Sequence, residues 1–248
     1  MTQPKKFACA IMAAGKGKRM KSDLPKVLHE LNGRPIIEYV VATARACGAD
    51  PVIAIVGHKR ELVIQQLGES ILYAVQAEQL GTGHAVQQTE QHLRNYDGPI
   101  LILSGDVPLL TVVTVNCLTE QHFSDGNACT IVTCIFDDPA GYGRVIRGDD
   151  GSVIGVVEHK DASDEQRLIK EINSGIYMVE AQTLFEALRH INNDNVQGEY
   201  YLPDILPYIL EKGMRIGGLM LRDPVEIAGI NSQEELAALE REYRSRNK

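Results

Sequence analysis

The chain has 248 residues and 44% hydrophobic content, enough to bury a sizeable core in one large α/β domain or two small ones. Its net charge of −8 argues against a general nucleic-acid partner, and no apolar run reaches the length of a membrane span. The five cysteines are widely spaced and lack a Cys-x-x-Cys pair, which removes the usual zinc and dithiol redox motifs and leaves them as small apolar core residues.

Residues 7–12 read as a first buried strand, and the segment ahead of it is too short for a signal peptide, so a cytoplasmic location is expected. The strand runs into Ala13-Ala14-Gly15-Lys16-Gly17-Lys18-Arg19-Met20, followed by Pro25-Lys26. Glycines that admit close backbone N–H groups, set among cations, suit a tri- or pyrophosphate; a basic surface turn is the plain alternative. A Walker loop would need four residues between its first glycine and Gly-Lys-Ser/Thr, and the dinucleotide fingerprint would need a glycine at Met20. Neither pattern is present. Pro25 interrupts before the next helical pattern begins, so Arg19 and Lys26 are expected on an irregular, extended loop.

Residues 52–56, 71–75 and 100–103 read as further buried strands, and 36–46, 60–67, 83–92 and 112–123 as helices. Such alternation predicts a doubly wound α/β sheet with ligands at the carboxyl ends of its strands. The glycine-rich loop, Gln76 and Asp106 all follow such ends. Gln76 to His84 offers amides able to read a base edge, while an ordinary loop with Thr82 as helix N-cap accounts for the same residues. In Ser104-Gly105-Asp106-Val107-Pro108 a carboxylate stands beside a glycine that leaves room for a ligand. A hard cation such as Mg²⁺ would accept that oxygen, and a simple turn would use it equally well.

Residues 128–136, 144–147, 153–158 and 171–179 read as strands of a mixed sheet or a β-rich lobe. Taken alone, Glu158 reads as part of a solvated turn, Asn173 as a strand-end cap, and Tyr200 and Tyr201 as packing residues. Ser232-Gln233-Glu234-Glu235 has capping-box spacing and opens a charged helix to about Arg244. The expected organisation is therefore one domain over residues 1–231 and a terminal helix over 232–248.

The run from Gly15 to His29 resembles the signature of the nucleotidyltransferases that make nucleotide sugars. It is most similar to the N-acetylglucosamine-1-phosphate uridyltransferase family, a domain of bacterial bifunctional GlmU proteins. The same motif order continues through residues 76–85, Gly105-Asp106-Val107-Pro108, Gly141-Tyr142-Gly143-Arg144 and Val157-Glu158-His159-Lys160. It is completed by Ile172-Asn173-Ser174-Gly175, Gly198-Glu199-Tyr200-Tyr201 and Gly229-Ile230-Asn231, so the resemblance covers essentially the whole chain.

The resemblance implies a Rossmann-like (GT-A-type) nucleotidyltransferase fold, with a mostly parallel central sheet and a smaller β-rich sugar-binding lobe. It implies transfer of uridylyl from UTP to N-acetylglucosamine 1-phosphate, giving UDP-N-acetylglucosamine and pyrophosphate for peptidoglycan and lipopolysaccharide precursors. Met12, Ala13, Ala14 and Gly15 would hold the nucleotide, and Arg19 and Lys26 would address phosphates. Gln76, Gln79, Gly81 and Thr82 would bind uracil, with Ser104, Gly105 and Asp106 at the ribose and metal. Gly143, Glu158 and Asn173 would hold the amino sugar, and Asn231 would join Asp106 on Mg²⁺. Because the reaction joins two anions, it asks for charge neutralisation and alignment rather than proton transfer.

Four positions depart from the family pattern: Lys18 replaces a Thr, Met12 a Leu, Ser104 a Tyr, and Pro203 a frequent Thr. No hexapeptide repeats of the acetyltransferase half are present, so acetyl transfer is not expected. Two other readings stay open. One is a different pairing, glucose 1-phosphate with UTP or dTTP; the other is a non-catalytic nucleotide-sugar sensor, against which the retained Arg19, Lys26, Asp106 and Asn231 argue. Oligomeric state is not legible in the sequence.

Overall fold

The computed structural model describes residues 5–246, with the Lys18 side chain outside the described part. β1 (Ala8–Ala13) leads through a small hairpin, β2 (Glu30–Leu31) and β3 (Arg34–Pro35), into α1 (Ile36–Ala46). Then come β4 (Val52–Val56), α2 (Arg60–Leu67), β5 (Leu72–Val75), α3 (Thr82–Gln87), α4 (Glu90–Leu93), β6 (Pro99–Ser104) and α5 (Val112–Ser124). The second half holds β7 (Cys129–Ile135), β8 (Arg144–Arg147), β9 (Val153–Val157), α6 (Asp164–Arg167), β10 (Glu171–Glu180), α7 (Ala181–Leu188), α8 (Ile205–Glu211), β11 (Ile216–Leu221) and α9 (Gln233–Arg246).

The main sheet runs β11-β7-β10-β6-β1-β4-β5, with β8 joined to β10 and β9 to β8. β1 pairs in parallel with β4 and β6, β4 with β5, and β11 with β7, whereas β10 is antiparallel to β6, β7 and β8. The sheet is thus mostly parallel, and the β-rich part of the second half is an outgrowth of it.

Both faces of the sheet are covered, which explains why its strands are apolar at nearly every position. Alternate residues go to opposite sides. Cys9, Ile11, Ala54, Val56, Leu101 and Leu103 meet Ile37, Val40, Val41 and Ala44 of α1, Val63 of α2, and Val115 and Leu118 of α5. Ala8, Ala10, Ile53, Ile55, Ile100 and Ile102 meet Val86 of α3, Leu184, Phe185 and Leu188 of α7, and Ile205, Leu206 and Ile209 of α8. A third, smaller cluster docks Leu236 and Leu239 of α9 on Met20, Leu31, Ile36 and Ile230, with Tyr243 edge-on to Tyr39 at 5.7 Å. α9 therefore braces the segment that follows β1.

Three expectations are corrected. The helix read over residues 83–92 is broken into α3 and α4, because both the backbone N–H and the hydroxyl of buried Thr89 turn back to the Val86 carbonyl, at 3.0 and 2.7 Å. Cys9, Cys129 and Cys134 are buried as expected, but Cys47 is half-buried and Cys117 exposed. Arg19 and Lys26 do not sit on an extended loop; each rides a short 3₁₀ turn, Lys18–Met20 and Lys26–Leu28. Among the described residues no helix is long and apolar enough to cross a membrane.

Candidate active site

Parallel pairing gathers the carboxyl ends of β1, β4, β5 and β6 at one rim, and β10, running the other way, brings its start there. Backbone bonds lace these ends together: the Gln76 N–H donates to the Val56 carbonyl at 2.8 Å, and the Gly105 N–H to the Met12 carbonyl at 2.9 Å. A Cβ at position 105 would lie 2.9 Å from that same Met12 oxygen. The space beside Gly105 is thus filled by β1 itself, which corrects the expectation that this glycine leaves room for a ligand.

A cavity of about 270 Å³ opens on the rim. One side is Met12, Ala13, Ala14 and Gly15; the other is Gln76, Gln79, Gly81 and Thr82; Lys26, Ser104 and Asp106 line it as well. Gln76 is almost fully buried, its amide donating to the Gly81 carbonyl at 3.0 Å and lying 3.2 Å from His84 Nδ1, while the Gln79 amide donates to the Gln76 carbonyl at 3.2 Å. Thr82 does not cap α3 with its side chain. Its hydroxyl oxygen instead accepts the Leu202 N–H at 2.9 Å, tying this loop to residues 199–202.

Lys26 is the junction of the site. Its ammonium donates to Asp106 Oδ2 and, at 3.0 Å, to Asn231 Oδ1, joining residues 205 apart in sequence. The Ile230 N–H donates to the Asp106 carbonyl at 3.0 Å, holding the Asn231 segment in place. Ser232 Oγ accepts the Glu235 N–H at 3.2 Å as half of the expected capping box. Glu235 departs from that motif and reaches one residue further back, accepting the Asn231 N–H at 2.6 Å.

Arg19 stands apart from this group. It borders a second cleft of about 570 Å³ that shares Ser104 and Asp106 with the first and includes Asn231 and Tyr142. Among the described residues it is exposed and makes no hydrogen bond or ion pair, so its charge is available to a ligand. Lys18, the departure at the same turn, has its side chain outside the described residues.

Gly143, Glu158 and Asn173 also come together. The Asn173 N–H donates to the Gly143 carbonyl at 2.9 Å, and a Cβ at 143 would lie 3.2 Å from Glu158 Oε1. Sequence reading missed Glu199, which lines the 270 Å³ cavity and also raises the Glu158 pKa by its charge, linking that cavity to the Gly143–Glu158–Asn173 group. It missed Gly57 too, where a Cβ would lie 2.9 Å from both the Gln76 carbonyl and the Gln79 amide nitrogen. Glu199 stood within a recognised motif; nothing in the sequence marked Gly57.

Burial, reinforced by the charges of Asp204, Asp161 and Glu199, pushes the Glu158 carboxyl up to about 6, and burial with Asp161 does the same to Asp204. A raised folded-state pKa favours the fold at low pH, and that contribution is lost as pH rises through it. Glu158→Gln is therefore expected to stabilise the protein by up to about 2 kcal/mol near pH 7.5, with the gain shrinking around pH 6 and gone near pH 4. Urea unfolding at the three pH values checks this; a gain independent of pH would contradict it.

The fold places a phosphate-suited cation turn, an amide-lined cavity and a carboxylate on the rim of a mostly parallel sheet. It is similar over 96% of this chain to a solved Bacillus anthracis structure, provisionally named a glucose-1-phosphate thymidylyltransferase, with a TM-score of 0.77, 17% identity and 95% of that chain covered. The class of fold is that of the nucleotidyltransferases. More narrowly, the MobA-like NTP transferase domain matches residues 9–200, and the chain belongs to that family.

The chain is 49% identical over 236 residues to the bifunctional protein GlmU of Caldanaerobacter subterraneus and 47% identical over 236 residues to that of Acetivibrio thermocellus. It is 46% identical over 242 residues to that of Geobacter sulfurreducens. These matches cover 95%, 95% and 97% of this chain but 51% of each relative, so the chain spans about half the length of the curated relatives it matches.

Proposed function

We propose that this chain transfers the uridylyl group of UTP to N-acetylglucosamine 1-phosphate. A phosphate oxygen of the sugar phosphate attacks the α-phosphorus of UTP, the bond from that phosphorus to its bridging oxygen breaks, and pyrophosphate leaves with the electron pair. The nucleophile is already ionised at neutral pH, so no general base is required. The observation that carries this reading is Lys26, shared between Asp106 and Asn231 at the edge of the cavity lined by Gln76, Gln79 and residues 12–15. The similarity to GlmU proteins over about 95% of the chain supports the choice of substrates.

In this reading Met12, Ala13, Ala14 and Gly15 bind the nucleotide, Gln76, Gln79, Gly81 and Thr82 orient uracil, and Arg19 and Lys26 neutralise phosphate oxygens. Gly143, Glu158 and Asn173 receive the amino sugar. The donor set at Asp106 and Asn231 fits Mg²⁺: one carboxylate and one amide oxygen already converge on a shared cation, the Lys26 ammonium. Among the described residues no group of three His, Cys, Asp or Glu side chains gathers as a metal cage. Two protein oxygens, with phosphates and water completing the shell, are what Mg²⁺ commonly accepts. When bound there, the ion would offset charge that develops on the phosphates. Residues 1–231 would carry the reaction, with α9 as a brace.

Pyrophosphate release from UTP, Mg²⁺ and N-acetylglucosamine 1-phosphate is the decisive assay. Release only with glucose 1-phosphate or dTTP would reassign the substrates, and no release with any sugar phosphate would favour a nucleotide-sugar sensor. Arg19→Ala is expected to lower turnover by about 10²-fold while leaving the circular dichroism unchanged, because nothing in the fold leans on its side chain. Turnover within a factor of about two of the parent would remove Arg19 from the phosphate-binding set.

A further inference from the structure

Among the described residues Arg144 is the largest side chain buried to this degree, at 1% exposure, and no carboxylate there pairs with it. Its guanidinium donates to the Tyr142 carbonyl, to His159 Nδ1 at 3.4 Å and to the Arg167 carbonyl at 3.4 Å, and its buried Nε has no acceptor. Burial pulls its pKa down, only partly offset by Asp138. A buried cation without a counter-charge costs several kcal/mol, and an apolar side chain of like volume would be cheaper. Packing alone does not explain it.

Its position does. Arg144 of β8 lies opposite Val157 of β9 and Ile172 of β10, the place where three strands meet. One residue further along β10, the antiparallel register sets Gly143 between Glu158 and Asn173 in a single row across those strands. The groups Arg144 holds flank that row: the Tyr142 carbonyl immediately precedes Gly143, and His159 immediately follows Glu158. Both flanking segments leave their strands here and would otherwise set their own geometry.

We propose that Arg144 is a positioning residue for the sugar end of the site: its planar fork clamps residues 142 and 159 so that Gly143 and Glu158 meet the sugar at fixed spacing. This rests on the sugar-site reading above. A fork fits the task because it donates in two directions from one rigid plane, which a lysine does not.

The test is titration calorimetry of the whole chain with UDP and with UDP-N-acetylglucosamine, on the parent, Arg144→Met and His159→Ala. The parent is expected to bind UDP-N-acetylglucosamine more tightly than UDP. Arg144→Met should keep its UDP affinity and lose about tenfold or more for the sugar nucleotide, with KM for N-acetylglucosamine 1-phosphate raised up to about 10²-fold and KM for UTP unchanged. His159→Ala, at a half-buried partner, should shift the same quantities in the same direction by less. A folded Arg144→Met with parental affinity for both ligands, or with equal losses for both, overturns the proposal. If Arg144→Met does not fold, unchanged sugar-nucleotide affinity in His159→Ala overturns it instead. A parent chain that binds both ligands equally overturns the sugar-site reading itself, and this proposal with it.

Discussion

Asp106→Ala is expected to reduce turnover by about 10²–10³-fold while leaving the protein folded. The reasoning separates what the side chain does from what the backbone does. Asp106 anchors the segment bearing Asn231 through its carbonyl, which accepts the Ile230 N–H at 3.0 Å, and alanine keeps that bond. Its carboxylate meets only Lys26 among the described residues. Removing it takes a negative charge from the proposed metal pair and leaves Lys26 with Asn231 alone. Asp106→Asn, which keeps the shape and loses the charge, should be impaired to a similar degree. Pyrophosphate release gives the rate, and isothermal titration with Mn²⁺ reports the loss of divalent affinity separately. Near-normal turnover in either variant would take Asp106 out of the mechanism.

Gly81→Ala should be the most damaging single methyl in the cavity lined by Gln76 and residues 12–15. Gly81 has φ of +120°, a region that L side chains rarely adopt, and its Cβ would lie 2.4 Å from the Tyr200 carbonyl oxygen and 2.7 Å from the Tyr200 nitrogen. Those atoms are occupied: the Tyr200 N–H donates to the Leu80 carbonyl and the Gly83 N–H to the Tyr200 carbonyl, both at 2.8 Å. The added methyl must push the loop off residues 199–202, breaking this pair of bonds and the Thr82–Leu202 contact. A loss of about 3 kcal/mol in urea unfolding is expected, together with weakened UTP binding. Gly15→Ala is the control. Its Cβ would meet nothing within 4 Å, so stability should stay within about 0.5 kcal/mol of the parent. Parental stability in Gly81→Ala would show that the loop does not dock as described.

The first half of the chain was legible because local pattern and final structure agree there. Val52–Val56, Ile36–Ala46 and Arg60–Leu67 fall where apolar periodicity puts them. The second half hid α7, α8 and β11. α7 begins immediately after β10 without a side-chain cap, so no start signal separates the two. β11 carries Gly217 and Gly218, which weaken its strand pattern, and Gly217 abuts Asn127 closely. Nor does periodicity reveal that β10 runs against its neighbours, the fact that brings Asn173 to the rim formed by the carboxyl ends of β1, β4, β5 and β6. The strand-end residues 12–15, Gln76 and Asp106 could be chosen because a strand's end is readable. The Lys26–Asn231 bond and the contacts of Arg144 with His159 and the Arg167 carbonyl join residues well apart in sequence, and Glu235 turns to the Asn231 N–H, so the residues stand in readable motifs but only the fold exposes their partners.

The span between Lys26 and Asn231 bears on how the protein comes into being. A contact closing a loop of 205 residues carries a large entropic cost of closure and is expected to form late in folding. A chain folded only through the turn after β6, to about residue 108, would display the glycine-rich turn and Asp106 without Asn231 or its Glu235 anchor. It would be a cation loop open to any polyphosphate, with no means of completing the site. On the proposed reading, nucleotide binds only where both ends of the chain have met and so stabilises the finished fold alone; ligand present during refolding should raise the yield of native protein without speeding the early collapse.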